Sequence, residues 1–409
     1  MSYIILKGVN MEFNIEVLKT RCKPICVHGD ELIVYSKGSL YFYHENHSMT
    51  PICKLPLGTL KTYIRKRSMF SGNINTERNS NMTLTSEPPM GIILSFMFKF
   101  RIFERLFEMM PNTGVIDSNG KLWIAHGGDI LGVDLTLNKI FSRYKFVNGG
   151  PHNKIAIINN LSNFDNGIVY GEYFPNSDRR EVSVYFKSDN SSTWEKIYSF
   201  PEGTIRHIHN IVPDYKRKRI YILTGDENKE PGIWVAENNF KTVRPLLVGK
   251  QAYRACVLFI NEDYLIFPTD TPLEQNNLTY VKYISEIPVI EKQIELPGSC
   301  IYGDNTGEKL IITTTVESDS NILYSKGRLH YKLSYKLGDG IKDRYSHLFI
   351  GNLNDGIIEE VCKFKKDIFP PALFGFGTMI VVADTNHQCA YVYPIKVKKY
   401  GGCLLKVNL

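Results

Sequence analysis

The sequence predicts an all-β fold, a β-propeller of about seven four-stranded blades with one inserted amphipathic helix. Three observations lead to it. Short runs rich in β-branched and aromatic residues recur along the chain, each ending in a small or polar residue: LIVYS (32–36), LWIAH (122–126), IVYGE (168–172), IYILT (220–224), LIFPT (265–269), LIITT (310–314) and MIVVA (379–383). Their last residues are 90, 46, 52, 45, 45 and 69 positions apart, and four of these six intervals are close to the length of one propeller blade. Finally, 43% hydrophobic and 12% aromatic residues over 409 positions supply enough apolar surface for a large globular core.

Taken in order, residues 1–24 read as an N-terminal segment. Its apolar patch is broken by Lys7 and Asn10, and no small-residue cleavage site follows, so it does not read as a signal peptide. Residues 25–59 supply the first blade, and 111–409 continue the single propeller domain. Around the central copy, strands are expected at 205–212, 219–224, 232–237 and 242–248, separated by turn residues. The units on either side repeat that order with KIAIIN, IVYGEY, VSVYFKS and WEKIYSF before it, and RACVLFI, YLIFPT, LTYVKYI and VIEKQIEL after it. Six blades result if the first or last copy is a stray strand. Radial repetition means that no blade has to be stable alone, because each apolar face is covered by its neighbour.

The insertion at 60–110 has two parts. Residues 68–90 are rich in Ser, Asn and Thr and read as a flexible loop. In 91–110, Ile93, Phe96, Phe100, Phe103, Phe107 and Met110 fall three and four apart, with Lys99, Arg101, Glu104, Arg105 and Glu108 between them. That is the pattern of an amphipathic helix, and five charges exclude a transmembrane span. Its apolar stripe packs on the propeller's flank, or it offers a homo-oligomer or membrane-surface contact.

KSDNSSTW (187–194) falls between a third and a fourth strand. Asp189, Thr193 and Trp194 match S-x-D-x-G-x-T-W, with Lys187 and Ser191 replacing the usual Ser and Gly. AENNFKTV (236–243) lies at the same place one blade later and keeps Thr242, with Asn238 standing for the Asp. These stretches resemble degenerate Asp-boxes of the sialidase-like propellers, over roughly residues 110–400. The resemblance implies a fold with the boxes in a structural role, the Asp capping its own turn and the Trp wedged between sheets, and it points to carbohydrate as the ligand class. The three arginines, acid and nucleophile of true sialidases are not assignable here.

Charge and cysteines narrow the setting. Forty-nine basic against forty-two acidic residues give +7, spread without the dense Lys/Arg blocks that follow a phosphate backbone, so no nucleic acid is expected. Eight cysteines at 22, 26, 53, 256, 300, 362, 389 and 403 form no C-x-x-C pair. They read as reduced thiols of a cytoplasmic protein, and no cofactor is implied.

The functional residues are expected where inner strands begin and second strands end, on one face of the disc. Second-strand ends give His126, Glu172, Asp226, Asp270, Glu317, Asp384 and His387; inner-strand starts give Lys154, Arg206, His207, Gln251, Arg254 and Tyr302. His207 and His209, two apart on one strand, point the same way. They either fill the centre as satisfied imidazoles or take part in chemistry; metal ligation lacks a third ligand in the sequence, so none is assigned.

Catalytic candidates are therefore His207, His209, Asp226, Arg254 and Asp270, with Arg206, Gln251, Asn276, Tyr302, His126, Glu172 and Asp384 expected to bind substrate. His207, Asp226, Arg254 and Asp270 should line one polar pocket on the axis. Two carboxylates would serve a glycoside hydrolase; a His or Tyr base beside an arginine would serve a polysaccharide lyase. The alternative is a non-catalytic propeller that binds a glycan or a protein.

Overall fold

In a computed structural model, which describes residues 3–7, 12–56, 110–227, 229–284 and 287–409, the recurrent runs become seven antiparallel sheets in a ring. Blade 1 is built from Lys23–His28, Glu31–Ser36, Ser39–Tyr43 and Met49–Lys54. Blade 4, typical of the set, uses His207–Asp214, Arg219–Gly225, Gly232–Glu237 and Thr242–Val248 from axis to rim. The predicted helix at 91–110 and the loop before it lie outside the described residues, apart from Met110, which packs on the core shared by blades 1 and 2.

What holds the ring is visible in the distribution of apolar side chains. Each of the seven junctions between adjacent blades has its own buried cluster. Between blades 3 and 4, for instance, Val184, Phe186 and Phe200 meet Ile208, Ile220 and Ile222. Strand residues buried on both faces read as continuous β-branched runs rather than strict alternation, which is why the second strands stood out in the sequence.

Blade 7 corrects two expectations. MIVVA is its inner strand (Thr378–Asp384), and the second strand is Cys389–Ile395. The 69-residue interval thus hides a change of strand as well as an insertion. Nor do residues 1–24 stand apart: Glu12–Thr20 is the outer strand of the same blade, pairing Ile15 with Val407 and Thr20 with Cys403. Tyr3–Lys7 adds a fifth strand. The first and last parts of the chain therefore close the ring together.

The box turns lie on the face opposite the inner-strand starts. Trp194 wedges between blades 2 and 3, 6.1 Å from Trp123 and 5.3 Å from Tyr170. In the second box Phe240 takes the wedge, edge-on to Phe164 at 5.7 Å. The Asp189 carboxylate accepts from the Ser118 hydroxyl of blade 2 at 2.5 Å, tying its turn to the neighbouring blade where the box resemblance implied a cap on its own turn.

The centre is a cavity of about 430 Å³ lined by the inner strands. Two side chains of blade 3 cross it to blade 6: Asn153 donates to the Ile301 carbonyl at 2.7 Å, and Lys154 pairs with Asp304 at 2.6 Å.

Closure by Glu12–Thr20 makes a quantitative expectation. Ile15, fully buried against blades 6 and 7, should cost about 2–5 kcal/mol on Ile15→Ala. The same change at the exposed Ile290 should cost within about 0.5 kcal/mol. Denaturant titration of both variants checks this; equal losses would remove the strand's role in closure.

Candidate functional site

The polar residues at strand ends do not spread evenly round the face. They concentrate where blades 3, 4 and 5 meet, because each contributes an inner-strand start beside a second-strand end. His207 and His209 begin the inner strand of blade 4, and Asp226 follows its second strand. Arg254 and Asp270 occupy the matching places in blade 5. His207 Nε2 lies 3.1 Å and His209 Nε2 2.9 Å from the Asp226 carboxylate, and the two nitrogens are 3.2 Å apart. Arg254 reaches both Asp226 (3.1 Å) and Asp270 (3.2 Å). The expected four are thus joined in one network. They do not line the axial cavity, whose walls are other inner-strand residues; the network is buried beside it, at the inner-strand starts of blades 4 and 5.

Local backbone fixes the two imidazoles. His209 Nδ1 is 3.0 Å from the Ala255 carbonyl and His207 Nδ1 3.4 Å from that of Phe174. Gly225 is required for the approach, since a Cβ there would come within 2.4 Å of the His209 ring. Gln251 donates to the Asp226 carbonyl at 2.7 Å, so it braces the loop.

Charge follows burial. For Asp226, burial alone would raise the carboxyl, but Arg254 and the imidazoles outweigh it and hold it well below the usual range. Burial keeps Asp270 raised in spite of Arg254, and Glu317, buried and facing Asp270, is pushed up to about 7. The His207 imidazole is lowered by burial to about 4. Both imidazole and raised carboxyls reflect the cost of holding charge away from water.

Two members were missed. The Tyr173 ring is sandwiched between His152 (centroids 4.1 Å, nearly parallel) and His207 (4.0 Å). Burial raises the Tyr173 phenol well above its ordinary value and lowers His152 well below. Both occupy the positions that the strand-end rule singled out, but one or two residues away from Glu172 and Lys154. Side-chain alternation at the strand end would have found Tyr173.

Other expected residues serve the fold. Glu172 turns inward and accepts from the Ser183 amide at 3.0 Å. Asn276 is fully buried, donating to the carbonyls of Thr271 (2.7 Å) and Gly340 (3.0 Å), so it staples two loops and does not reach the network. His126 packs against Tyr35 between blades 1 and 2. Tyr302 lines the axial cavity. Asp384 also borders that cavity, but with His387 (2.9 Å) it lies at the opposite end, since its strand is an inner one. Arg206 does join the site: it pairs with Glu227 at 2.8 Å, while its buried Nε has no partner among the described residues.

An insertion in blade 6 forms one wall. It carries two short helices, α1 (Asn321–Lys326) and α2 (Arg328–Leu333), and the largely exposed Tyr324 donates to Glu227 at 3.1 Å.

No family model and no curated protein matches this chain. Among solved structures it is similar to a chain of the mitotic checkpoint complex (7% identity over 100% of this chain and 93% of that one, TM-score 0.51). It is also similar to the extracellular domain of the hybrid two-component system BT4673 from B. thetaiotaomicron (10% identity, 98% of this chain and 43% of that one, TM-score 0.50). A third is virginiamycin B lyase from Staphylococcus aureus (10% identity, 97% and 100%, TM-score 0.49). At such identities the likeness shows the propeller fold alone. Among the described residues no helix is long and apolar enough to cross a membrane.

Glu317 gives a pH test. Its carboxyl, near 4.5 when unfolded, is raised to about 7 in the fold, so the native state holds the extra proton between those values. Stability from this group is complete below pH 4.5 and is lost as pH rises through 7. Glu317→Gln should flatten that part of the stability profile, gaining on the parent at pH 8 relative to pH 5. Parallel profiles in denaturant titrations would refute the assignment.

Proposed function

We propose that the chain is a carbohydrate-active propeller whose site, at the junction of blades 3, 4 and 5, cleaves a uronate-containing saccharide by β-elimination. The observation that carries this reading is the stack of a phenol between two imidazoles, with an arginine donor unspent beside it. At neutral pH the phenol of Tyr173 is protonated and the imidazoles of His152 and His207 are neutral. An un-ionised acid beside neutral bases is what elimination requires.

The sugar carboxylate pairs with Arg206 through its free Nε. His152, whose buried Nδ1 has no partner among the described residues, removes the proton α to that carboxylate. The electrons form the carbon–carbon double bond, the bond to the leaving sugar oxygen breaks, and Tyr173 protonates that oxygen. Arg254, held in place by Asp226 beside His207 and His209, is the cation that stabilises negative charge developing on the carboxylate. Tyr324 offers an aromatic face at the mouth.

Hydrolysis fits less well. It needs two carboxyls free to act from opposite sides of the bond, whereas Asp226 and Asp270 share one arginine. Carbohydrate itself is supported by the box resemblance in the sequence.

Incubation with a panel of hexuronate oligosaccharides should produce the near-ultraviolet absorbance of an unsaturated uronate. Tyr173→Phe and His152→Ala should each lower turnover about 10²–10⁴-fold with stability changed by no more than about 1–2 kcal/mol. New reducing ends without that absorbance would mean hydrolysis, and saturable binding without products would mean a recognition module; either overturns elimination.

A further inference from the structure

The arrangement of His207, His209 and Asp226 is not accounted for by the acid–base roles above. Both ring nitrogens of His209 face acceptors: the Ala255 carbonyl at 3.0 Å and the Asp226 carboxylate at 2.9 Å. A neutral imidazole carries one hydrogen and satisfies only one of them. His207 repeats the pattern, with Phe174 O at 3.4 Å on one side and Asp226 at 3.1 Å on the other. Meanwhile the two Nε2 atoms approach each other to 3.2 Å. Three side chains with metal-ligating atoms thus converge, those atoms all lying within 4.8 Å of one another.

We infer that this point is a divalent metal site of the zinc class, with His207 Nε2, His209 Nε2 and the Asp226 carboxylate as its protein ligands, Oδ2 lying nearest His207 and Oδ1 nearest His209. Separations of 2.9, 3.1 and 3.2 Å suit such an ion: donors bound at 2.0–2.1 Å in tetrahedral geometry lie about 3.3 Å apart. The donor set is two imidazoles and a carboxylate, the type that borderline transition ions take and magnesium or calcium do not. The outer shell matches as well. Each ligand histidine turns its Nδ1 to a backbone carbonyl, which fixes the tautomer that leaves Nε2 free to ligate, and Arg254 pairs with the carboxylate at 3.1 Å, on the oxygen nearest His209. Gly225, which has no Cβ to block the His209 ring, keeps that imidazole in place.

Three protein ligands leave coordination positions open for a substrate oxygen. In the elimination proposed above, the ion would share the sugar carboxylate with Arg206 and make the α-proton more acidic. That role rests on the proposed function; the binding of metal does not.

The test uses the whole purified chain, stripped with a chelator and dialysed. Zinc titrated by calorimetry should bind at one equivalent, and cobalt should give the visible absorption of a low-symmetry nitrogen and oxygen site. Zinc should also raise the melting temperature in a concentration-dependent way. His209→Gln and Asp226→Asn should each weaken binding at least about 100-fold, the scale of losing a ligand or its support. Tyr173→Phe, which removes the proposed acid, should bind zinc as the parent does. No saturable zinc binding by a folded parent, or binding unchanged in both ligand variants, overturns the site. Should the ligand variants misfold by circular dichroism, the cobalt spectrum of the parent decides, since a spectrum identical to hydrated cobalt also overturns it. Zinc bound with no turnover on any uronate leaves the metal site standing and rejects the elimination.

Discussion

The ring must close. Each blade presents two apolar faces and has only its neighbours to cover them, so the seven inter-blade clusters form only if the last blade meets the first. Hydrogen bonds between Glu12–Thr20 and Cys403–Asn408 provide that closure, joining strands from opposite ends of the sequence. Without them the Cys403–Asn408 strand would be an open edge, and Leu18 would no longer pack on the cluster between blades 7 and 1. The position of every inner strand, and with it the convergence of side chains from blades 3, 4 and 5, depends on this seam.

The charged network shows what such a scaffold permits. Two arginines, Arg206 and Arg254, the carboxyls of Asp226, Asp270 and Glu317 and three imidazoles, gathered across the three junctions between blades 3 and 6, would destabilise a small domain, because each charge removed from water must be matched by a partner. Here the partners come from different blades. Asp226 belongs to blade 4 and Arg254 to blade 5, so the electrostatic match depends on how the blades are set against each other rather than on any local segment. Raised Asp270 and Glu317 are the places where matching is incomplete.

Much of this was legible in the sequence, for a physical reason. Second strands are buried on both faces and so appear as unbroken apolar runs with a fixed repeat, while the polar residues that end them are marked by the switch in character. That led to the blade count and to the grouping of His207, Asp226, Arg254 and Asp270. The failures have equally specific causes. In blade 7 the inner strand, MIVVA, is as apolar as a second strand, so composition could not tell them apart and Asp384 was put on the wrong face. Residues 12–20 carry an ordinary alternating pattern whose partner lies almost four hundred positions away, beyond any local signal. Glu172 and Asn276 look like ligand-binding groups until their backbone partners are seen, and Tyr173 was passed over for its acidic neighbour.

The crossing of the central cavity by Asn153 and Lys154 has a consequence for traffic. Propellers are often drawn as wheels with an open hub, through which a polymer could be threaded. Here the spokes of blade 3 are tied to Ile301 and Asp304 on the far side, and the hub is barred near the inner-strand starts. A polymer of any kind is kept from threading the hub and must enter and leave on the same side.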